Sequence, residues 1–196
     1  MTPRSAHIIR RTRETQIALT LNLDGRGKSA VRTTLPFLDH MFELFAKHGF
    51  FDLTVRAKGD THIDDHHLVE DLGIALGEAI AKAVGNKKGI HRYGNFLLPM
   101  DEALSYVALD LSNRPYFVWK VKWTKPDVGR FDGLLLEHFF ESVAASARMN
   151  LHMALKYGKQ PHHIAESLFK GFARALAQAV AVDARVKGVP STKGKL

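Results

Sequence analysis

The amino-acid sequence predicts an α+β fold that is internally duplicated. Each of two similar halves would contain a mostly antiparallel sheet and two helices, with the helices sandwiched between the sheets. Three observations predict this fold: a repeat within the sequence, alternating stretches typical of strands, and helical stretches with one apolar face. Neither half covers its own apolar faces, so stacking the halves would bury both sets. We expect a single domain over residues 1–196, with halves at about 1–92 and 93–180 and a C-terminal tail at about 188–196.

The repeat spans residues 36–81 and 132–177. Each copy has an acidic residue followed by histidine, then a helical stretch, then a short alternating stretch. A His-His-x-x-Glu motif then opens a second helix. The first histidine precedes the motif by 26 residues in one copy and by 24 in the other. This small difference fits a change in loop length.

The first half begins with two stretches that look extended, residues 8–23 and 29–34. The segment Asp24-Gly25-Arg26-Gly27 lies between them and is a turn signal, which predicts a β-hairpin. Apolar residues at helical spacing then predict a helix over 36–48, with Gly49 as its stop.

Alternation over 51–56 predicts a half-buried strand after that helix. Helical apolar spacing over 69–83 predicts a second helix that ends near Gly85. The second half repeats this order, with two strands, a helix, a strand and a helix expected at 103–110, 116–123, 134–147, 151–155 and 164–180. Residues 86–93 are the only candidate boundary between the halves.

Composition narrows the classes of protein and site. The chain has no cysteine, so histidine and carboxylate side chains would have to hold any metal. The net charge of +8 invites a nucleic-acid function, yet the basic residues are dispersed and would serve a small phosphorylated substrate equally well. No apolar stretch approaches the roughly 20 residues that a bilayer requires. The N-terminus has no apolar leader, which favours a cytoplasmic location, or a plastid one if the chain is a processed form.

The two His-His-x-x-Glu motifs have the spacing of chelating groups, because a carboxylate shares a helix face with a histidine one turn away. The first motif contains His66, His67 and Glu70, and the second contains His162, His163 and Glu166. Adjacent histidines diverge by about 100° on a helix, so each pair is expected to divide between two sites.

The histidines that follow an acidic residue, His40 and His138, complete a set of eight possible ligands. The set suffices for two sites of three imidazoles and one carboxylate. Our preferred grouping for the first site is His40, His66, Glu70 and His163. For the second site it is His138, His162, Glu166 and His67. The fourth ligand would cross a pseudo-twofold axis or come from a neighbouring subunit.

Nitrogen and carboxylate ligands suit Mn, Fe, Zn or Ni, so the ligand types do not select the ion. Asp64 and Asp65 precede the first motif and have two equally weighted roles. They could accept hydrogen bonds from imidazole rings and so orient them, or they could cap the helix that follows.

The chain resembles the imidazoleglycerol-phosphate dehydratase family over nearly its whole length. The matching segments are RRTRETQI, FLDHM, AKHG, GDTHIDDHHLVED, GIHRYG, PMDEAL, LSNRPY, EHFFES, GKQPHHIAESLFKGFARAL and PSTKG. The family usually has threonine where this chain has Leu68, which is not a ligand type. The resemblance implies dehydration of imidazole glycerol phosphate to imidazole acetol phosphate in histidine biosynthesis, through a metal-bound imidazolate. It also implies two Mn²⁺ ions per subunit, at subunit contacts in a shell of 24 subunits.

The resemblance also implies roles for particular residues. Glu14 matches the acid-base residue of the family, and the implied catalytic set is Glu14, His67, Glu70 and Glu166. The implied substrate-binding set includes Glu14, His40 and His66, together with phosphate-binding residues Arg92, Arg114, Ser191 and Lys193. Lys170 is a further possibility for the phosphate, because a cation on the last helix could reach it.

Two alternatives of a different class remain open. A metal-storage or metal-sensing assembly would also need histidine and glutamate sites, but it would have no use for Glu14 or for phosphate-binding cations. A metal-dependent hydrolase would use a bound hydroxide. Three imidazoles and one carboxylate leave open positions on an octahedral ion, which favours catalysis, whereas storage favours many weak carboxylate sites.

Overall fold

The computed structural model describes residues 4–123 and 125–196. Twelve elements occur in the described part of the chain. The strands are β1 (Ser5–Arg11), β2 (Thr15–Asn22), β3 (Ser29–Arg32), β4 (Asp52–Gly59), β5 (Tyr93–Met100), β6 (Ala103–Asp110), β7 (Tyr116–Lys120) and β8 (Asn150–Tyr157). The helices are α1 (Pro36–Gly49), α2 (His66–Val84), α3 (Leu135–Ala147) and α4 (Pro161–Val180).

The two halves have the same topology, which confirms the predicted duplicated α+β fold. The first sheet has the order β1-β2-β4-β3 and the second has the order β5-β6-β8-β7. In each sheet the first three strands are antiparallel, and the fourth pairs in parallel with the strand beside it. The sheets are therefore mostly antiparallel, as the sequence predicts.

The predicted hairpin is wrong. The extended stretch 8–23 contains two antiparallel strands, β1 and β2, and the turn between them is stabilised by Thr12 Oγ1, which accepts hydrogen bonds from the backbone N–H groups of Glu14 and Thr15. Residues 24–28 do turn, but Asp52 Oδ1 accepts hydrogen bonds from the N–H groups of Arg26 and Lys28. These bonds hold the turn against the start of β4. Because β4 lies between β2 and β3 in the sheet, β2 and β3 do not pair with each other.

All four helices lie between the two sheets. Helix α2 packs on the first sheet and α4 on the second, while α2 also contacts α3 and α1 contacts α4. Two glycines of α2 permit the close approach of α3, since a Cβ atom at Gly73 would lie 2.6 Å from Phe139 O and one at Gly77 would lie 2.6 Å from Val143 O.

One apolar core joins the halves. Fully buried phenylalanines from both halves meet in it, as in the Phe42–Phe139 and Phe45–Phe172 pairs, with ring centroids 5.8 Å and 5.6 Å apart. These contacts bury the apolar helix faces that each half would expose alone. Within the described residues, no helix combines the length and the apolar character needed to cross a membrane.

Candidate functional site

The first cluster of potential ligands joins α1 to the start of α4. His40 Nε2 and His162 Nε2 lie 3.1 Å and 3.0 Å from the same oxygen of Glu166, Oε1. The three ligand atoms lie within 4.8 Å of one another. His162 and Glu166 share a face because they are four residues apart on α4, while the docking of α1 on α4 brings in His40.

Glu166 is the buried centre of this cluster. Burial works to raise the pKa of the carboxyl group, but hydrogen bonds from Lys170, His40 and His162 outweigh it and hold the pKa at about 2. Lys170 pairs with the second carboxylate oxygen, Oε2, and its Nζ also lies 3.4 Å from Met100 Sδ. The carboxylate is therefore ionised, as a metal ligand must be.

The second cluster joins the start of α2 to α3. Glu70 Oε1 lies 3.5 Å from His138 Nε2, and Glu70 Oε2 lies 4.0 Å from His66 Nε2. The rings of His66 and His138 are stacked, with centroids 4.6 Å apart. In the described part of the chain, His138 Nε2 is buried and has no hydrogen-bond partner. A buried nitrogen of this kind is costly unless another species satisfies it.

The structure does not support the preferred grouping of ligands. That grouping placed His40 with His66 and Glu70, whereas the structure places His40 with His162 and Glu166. Each cluster thus combines one histidine from one half with a motif from the other. The physical reason is helix docking, because α1 contacts α4 and α2 contacts α3.

His67 and His163 lie outside both clusters. His67 Nδ1 lies 3.0 Å from Asp60 Oδ2, and its Nε2 lies 3.9 Å from Glu14 Oε1. The hydrogen bond to Asp60 raises the pKa of His67. Adjacent residues on a helix point in different directions, which explains why His67 does not join His66 in the same cluster.

His163 is held in the same manner by residues of the β5–β6 turn. Its Nδ1 lies 2.7 Å from Glu102 Oε2, and its Nε2 lies 3.6 Å from Asp101 Oδ2. The hydrogen bond with His163 lowers the pKa of Glu102 to about 2, and the same bond raises the pKa of His163. In both motifs, a carboxylate therefore binds Nδ1 of the second histidine.

The carboxylates that contact Nδ1 of His67 and His163 are Asp60 and Glu102, whereas the sequence left ring orientation and helix capping open for Asp64 and Asp65. Asp64 Oδ1 accepts a hydrogen bond from the backbone N–H of His66 at 2.8 Å, so Asp64 stabilises the start of α2. Asp65 is the N-cap residue, yet its side chain forms no cap hydrogen bond. Sequence reasoning missed Asp60 and Glu102, although both lie in segments, GDTHIDDHHLVED and PMDEAL, that carry the family resemblance.

The phosphate-binding residues predicted in the C-terminal part converge on one pocket. Arg92, Arg114, Ser191 and Lys193 line a cavity of about 620 Å³. Arg92 forms a double ion pair with Asp110, and its Nη1 donates a hydrogen bond of 2.8 Å to the carbonyl oxygen of Pro190. The pair raises the pKa of Arg92, so the guanidinium stays charged.

The cavity and the first cluster are at opposite ends of α4. The backbone N–H of Arg92 donates to the carbonyl oxygen of Ala179, whereas Glu166 lies near the start of the helix. The intervening helix spans roughly 20 Å, given its rise per residue. Lys170, which was predicted as a further phosphate ligand, lies at the cluster end.

Known proteins are similar to this chain in sequence and in fold. The family model for imidazoleglycerol-phosphate dehydratase matches residues 33–176. The imidazoleglycerol-phosphate dehydratase of Geobacillus kaustophilus is 56% identical over 98% of this chain and 99% of its own, and that of Methylorubrum populi is 53% identical over 98% and 100%. The crystal structures of the Staphylococcus aureus and Pyrococcus furiosus enzymes are each 36% identical, with TM-scores of 0.83 and 0.82. They cover 91% and 96% of this chain, and 99% and 100% of their own.

The duplicated fold, its paired histidine-glutamate clusters and these relatives define the chain as an enzyme of the hydro-lyase class. Such enzymes remove water from a carbon skeleton. The family model covers most of the chain, and the relatives match it almost end to end. The chain belongs to the imidazoleglycerol-phosphate dehydratase family.

Proposed function

We propose that this chain converts imidazole glycerol phosphate to imidazole acetol phosphate and water in histidine biosynthesis, with Mn²⁺ as its metal. The observation that carries the proposal is the pair of clusters, each with two histidines and one glutamate whose ligand atoms lie within 4.8 Å of one another. A cytoplasmic location stays a prediction.

The residues of both clusters fit a divalent ion. All six potential ligand atoms are imidazole nitrogens or carboxylate oxygens, which suit Mn²⁺ as they suit other divalent ions. The buried and unpartnered Nε2 of His138 would gain a partner from an ion placed between it and Glu70. When bound, the metal would supply Lewis-acid chemistry and would orient the imidazole ring of the substrate.

An active site that combines the first cluster with the C-terminal cavity would need a second copy of the chain. A small phosphorylated imidazole has only a few bonds between its ring and its phosphate, so it cannot span the roughly 20 Å between the first cluster and the C-terminal cavity of one chain. Nε2 of His67 and of His163 lies beside an exposed carboxylate and outside both clusters, where a neighbouring copy could receive it as a ligand. This geometry supports an assembly of several copies, and the shell of 24 subunits that the family resemblance implies stays a prediction.

Glu14 is suited to move the proton in the proposed reaction. Water is lost as the hydroxyl on the carbon next to the ring and the hydrogen on the following carbon. The resulting enol then becomes the ketone when the carbon next to the ring gains a proton. The side chain of Glu14 is half-exposed, lies 3.9 Å from His67 Nε2 and forms no hydrogen bond with the described residues, so it is free to accept and return a proton.

The cavity around Arg92 is suited to hold the phosphate. It brings the cations Arg92, Arg114 and Lys193 together with the hydroxyl of Ser191. Arginine suits such a role because its planar guanidinium can form two parallel hydrogen bonds to one phosphate group. The tail that supplies Ser191 and Lys193 is attached through the hydrogen bond from Arg92 to Pro190.

The test is formation of imidazole acetol phosphate by protein that has been stripped with a chelator and resupplied with Mn²⁺. We expect activity to disappear on stripping and to return with Mn²⁺. Folded protein that binds Mn²⁺ but never turns over the substrate would contradict the proposal. It would favour a metal-storage or metal-sensing assembly instead.

A further inference from the structure

Glu14 and Glu102 occupy equivalent positions in the two halves. Each directly precedes the second strand of its sheet, β2 or β6. Two glycines beside them also correspond. Gly59 is the last residue of β4 and pairs with Thr15, whereas Gly158 directly follows β8, and a Cβ atom added to it would lie 2.9 Å from Ala103 Cβ. The duplicated fold therefore places a glutamate directly before the second strand of the sheet in both halves.

The two glutamates make different contacts. Glu102 uses both carboxylate oxygens, since Oε1 accepts hydrogen bonds from the backbone N–H groups of Lys159 and Gln160 at 3.1 Å and 2.7 Å, and Oε2 lies 2.7 Å from His163 Nδ1. Within the described chain, the Glu14 carboxylate forms no hydrogen bond and lies 3.9 Å from His67 Nε2.

The contacts of Glu14 and Glu102 differ because a different residue follows the glycine in each half, Gly59 or Gly158. In the first half this position is Asp60, which binds His67 Nδ1 at 3.0 Å. In the second half it is Lys159, and an ammonium group cannot accept a hydrogen bond. The second half therefore obtains its carboxylate from the β5–β6 turn.

We propose that Glu102 is the positioning residue of His163 and fixes the tautomer in which Nδ1 carries the proton. An ionised carboxylate can only accept, so His163 Nδ1 must donate to it, and in the neutral ring Nε2 then keeps its lone pair. Asp60 does the same for His67. The inference rests on the proposed function, because the free Nε2 serves a metal ion supplied by that site. Glutamates at equivalent places in the two halves thus have different proposed roles: Glu102 positions a histidine, and Glu14 transfers a proton.

The variant Glu102→Gln separates positioning from a merely structural role. The glutamine oxygen can still accept from the two backbone N–H groups, so the turn at Lys159 and Gln160 stays capped. The amide NH₂ group then faces His163 Nδ1 and donates to it, which favours the opposite tautomer with a proton on Nε2. A protonated Nε2 cannot bind a metal ion.

The measurement is a titration of the metal-free protein with Mn²⁺, in which the electron paramagnetic resonance signal of the free ion gives the affinity. We expect the affinity of the Glu102→Gln variant to fall by about 10-fold to 100-fold, the range for loss of a group that orients a metal ligand. The thermal unfolding of the metal-free variant should stay unchanged. Glu78→Gln, which removes the charge of an exposed residue on α2, is the matched control and should bind Mn²⁺ as the wild type does.

A double-mutant cycle with His163→Ala provides the second test. If Glu102 acts through His163, adding Glu102→Gln to His163→Ala should cause no further loss of affinity. Wild-type affinity in Glu102→Gln, or losses that add in the double variant, would overturn the inference. In both cases a wild-type protein that binds Mn²⁺ and forms product would leave the proposed function intact.

Discussion

Arg92 and Asp110 form a double ion pair, with Nε–Oδ1 and Nη2–Oδ2 distances of 2.6 Å and 2.9 Å. Both side chains are largely buried, at 10% and 15% exposure, so the pair is shielded from solvent. The remaining terminal nitrogen of Arg92 holds the backbone of Pro190. Asp110 therefore aligns the guanidinium with the cavity and with the tail.

We expect Asp110→Asn to weaken phosphate binding by about 10-fold to 100-fold, because it removes a charge-assisted hydrogen bond worth about 1.5–3 kcal/mol. The effect should appear in KM, with kcat close to the wild-type value. Steady-state kinetics with the phosphorylated substrate measure both constants. Asp127→Asn, a change at an exposed carboxylate outside the cavity, is the control. An unchanged KM would show that Arg92 needs no alignment by Asp110.

Removal of residues 191–196 should damage substrate affinity more than folding. The tail contributes Ser191 and Lys193 to the cavity, yet its side chains are mostly exposed and add little to the core. The measurements are KM and the unfolding temperature of the shortened protein. Unchanged affinity would remove the tail from the phosphate site.

Glu14→Gln should lower kcat by about 10²-fold to 10⁴-fold, the usual range for loss of a general acid-base group. The amide keeps the size of the side chain but cannot take up a proton. Mn²⁺ content, measured by elemental analysis, should match the wild type because Glu14 lies outside both clusters. A variant that keeps full turnover would assign the proton transfer to another group.

His138→Ala should weaken Mn²⁺ binding by more than about 100-fold, the upper end of the range for loss of a group that only orients a ligand, because it would remove a proposed direct ligand in the second cluster. Titration of the metal-free protein with Mn²⁺ measures the loss. His152→Ala, at an exposed histidine of β8, should have no effect on binding. Equal affinity in the two variants would argue against a metal at this cluster.

Gly77→Ala should destabilise the fold by about 1–3 kcal/mol, the cost of forcing an extra group into a close-packed contact. The new Cβ would lie 2.6 Å from Val143 O, a backbone atom that cannot rotate away. Thermal unfolding of metal-free protein measures the change. Gly188→Ala adds the same methyl group where nothing lies within 4 Å, so its unfolding temperature should not fall.

Local patterns predicted most of the elements, and they failed where pairing is non-local. The apolar spacing of residues 36–48 and the alternation of 51–56 correspond to α1 and β4. The turn near Thr12 lacks glycine and proline, since a threonine hydroxyl stabilises it, and the sequence therefore shows no break there. Strand β5 was missed, because Gly94 and Pro99 are unusual in strands, although an edge strand tolerates both.

The possible ligands were predictable from the repeat, but their grouping was not. Spacing along a helix relates Glu70 to His66 and Glu166 to His162. Spacing along the sequence does not predict that His40 contacts Glu166, which lies 126 residues away. This contact depends on how α1 docks on α4.

Each cluster includes one histidine from the other half of the chain, and this arrangement bears on the ancestry of the fold. His40 completes the motif of the second half, and His138 completes that of the first. A single repeat on its own could not build either cluster, whereas two identical copies related by a twofold axis would build both. A one-repeat ancestor would have gathered these ligands only as a homodimer, and fusion of two such copies would leave the glutamates Glu14 and Glu102 free to diverge.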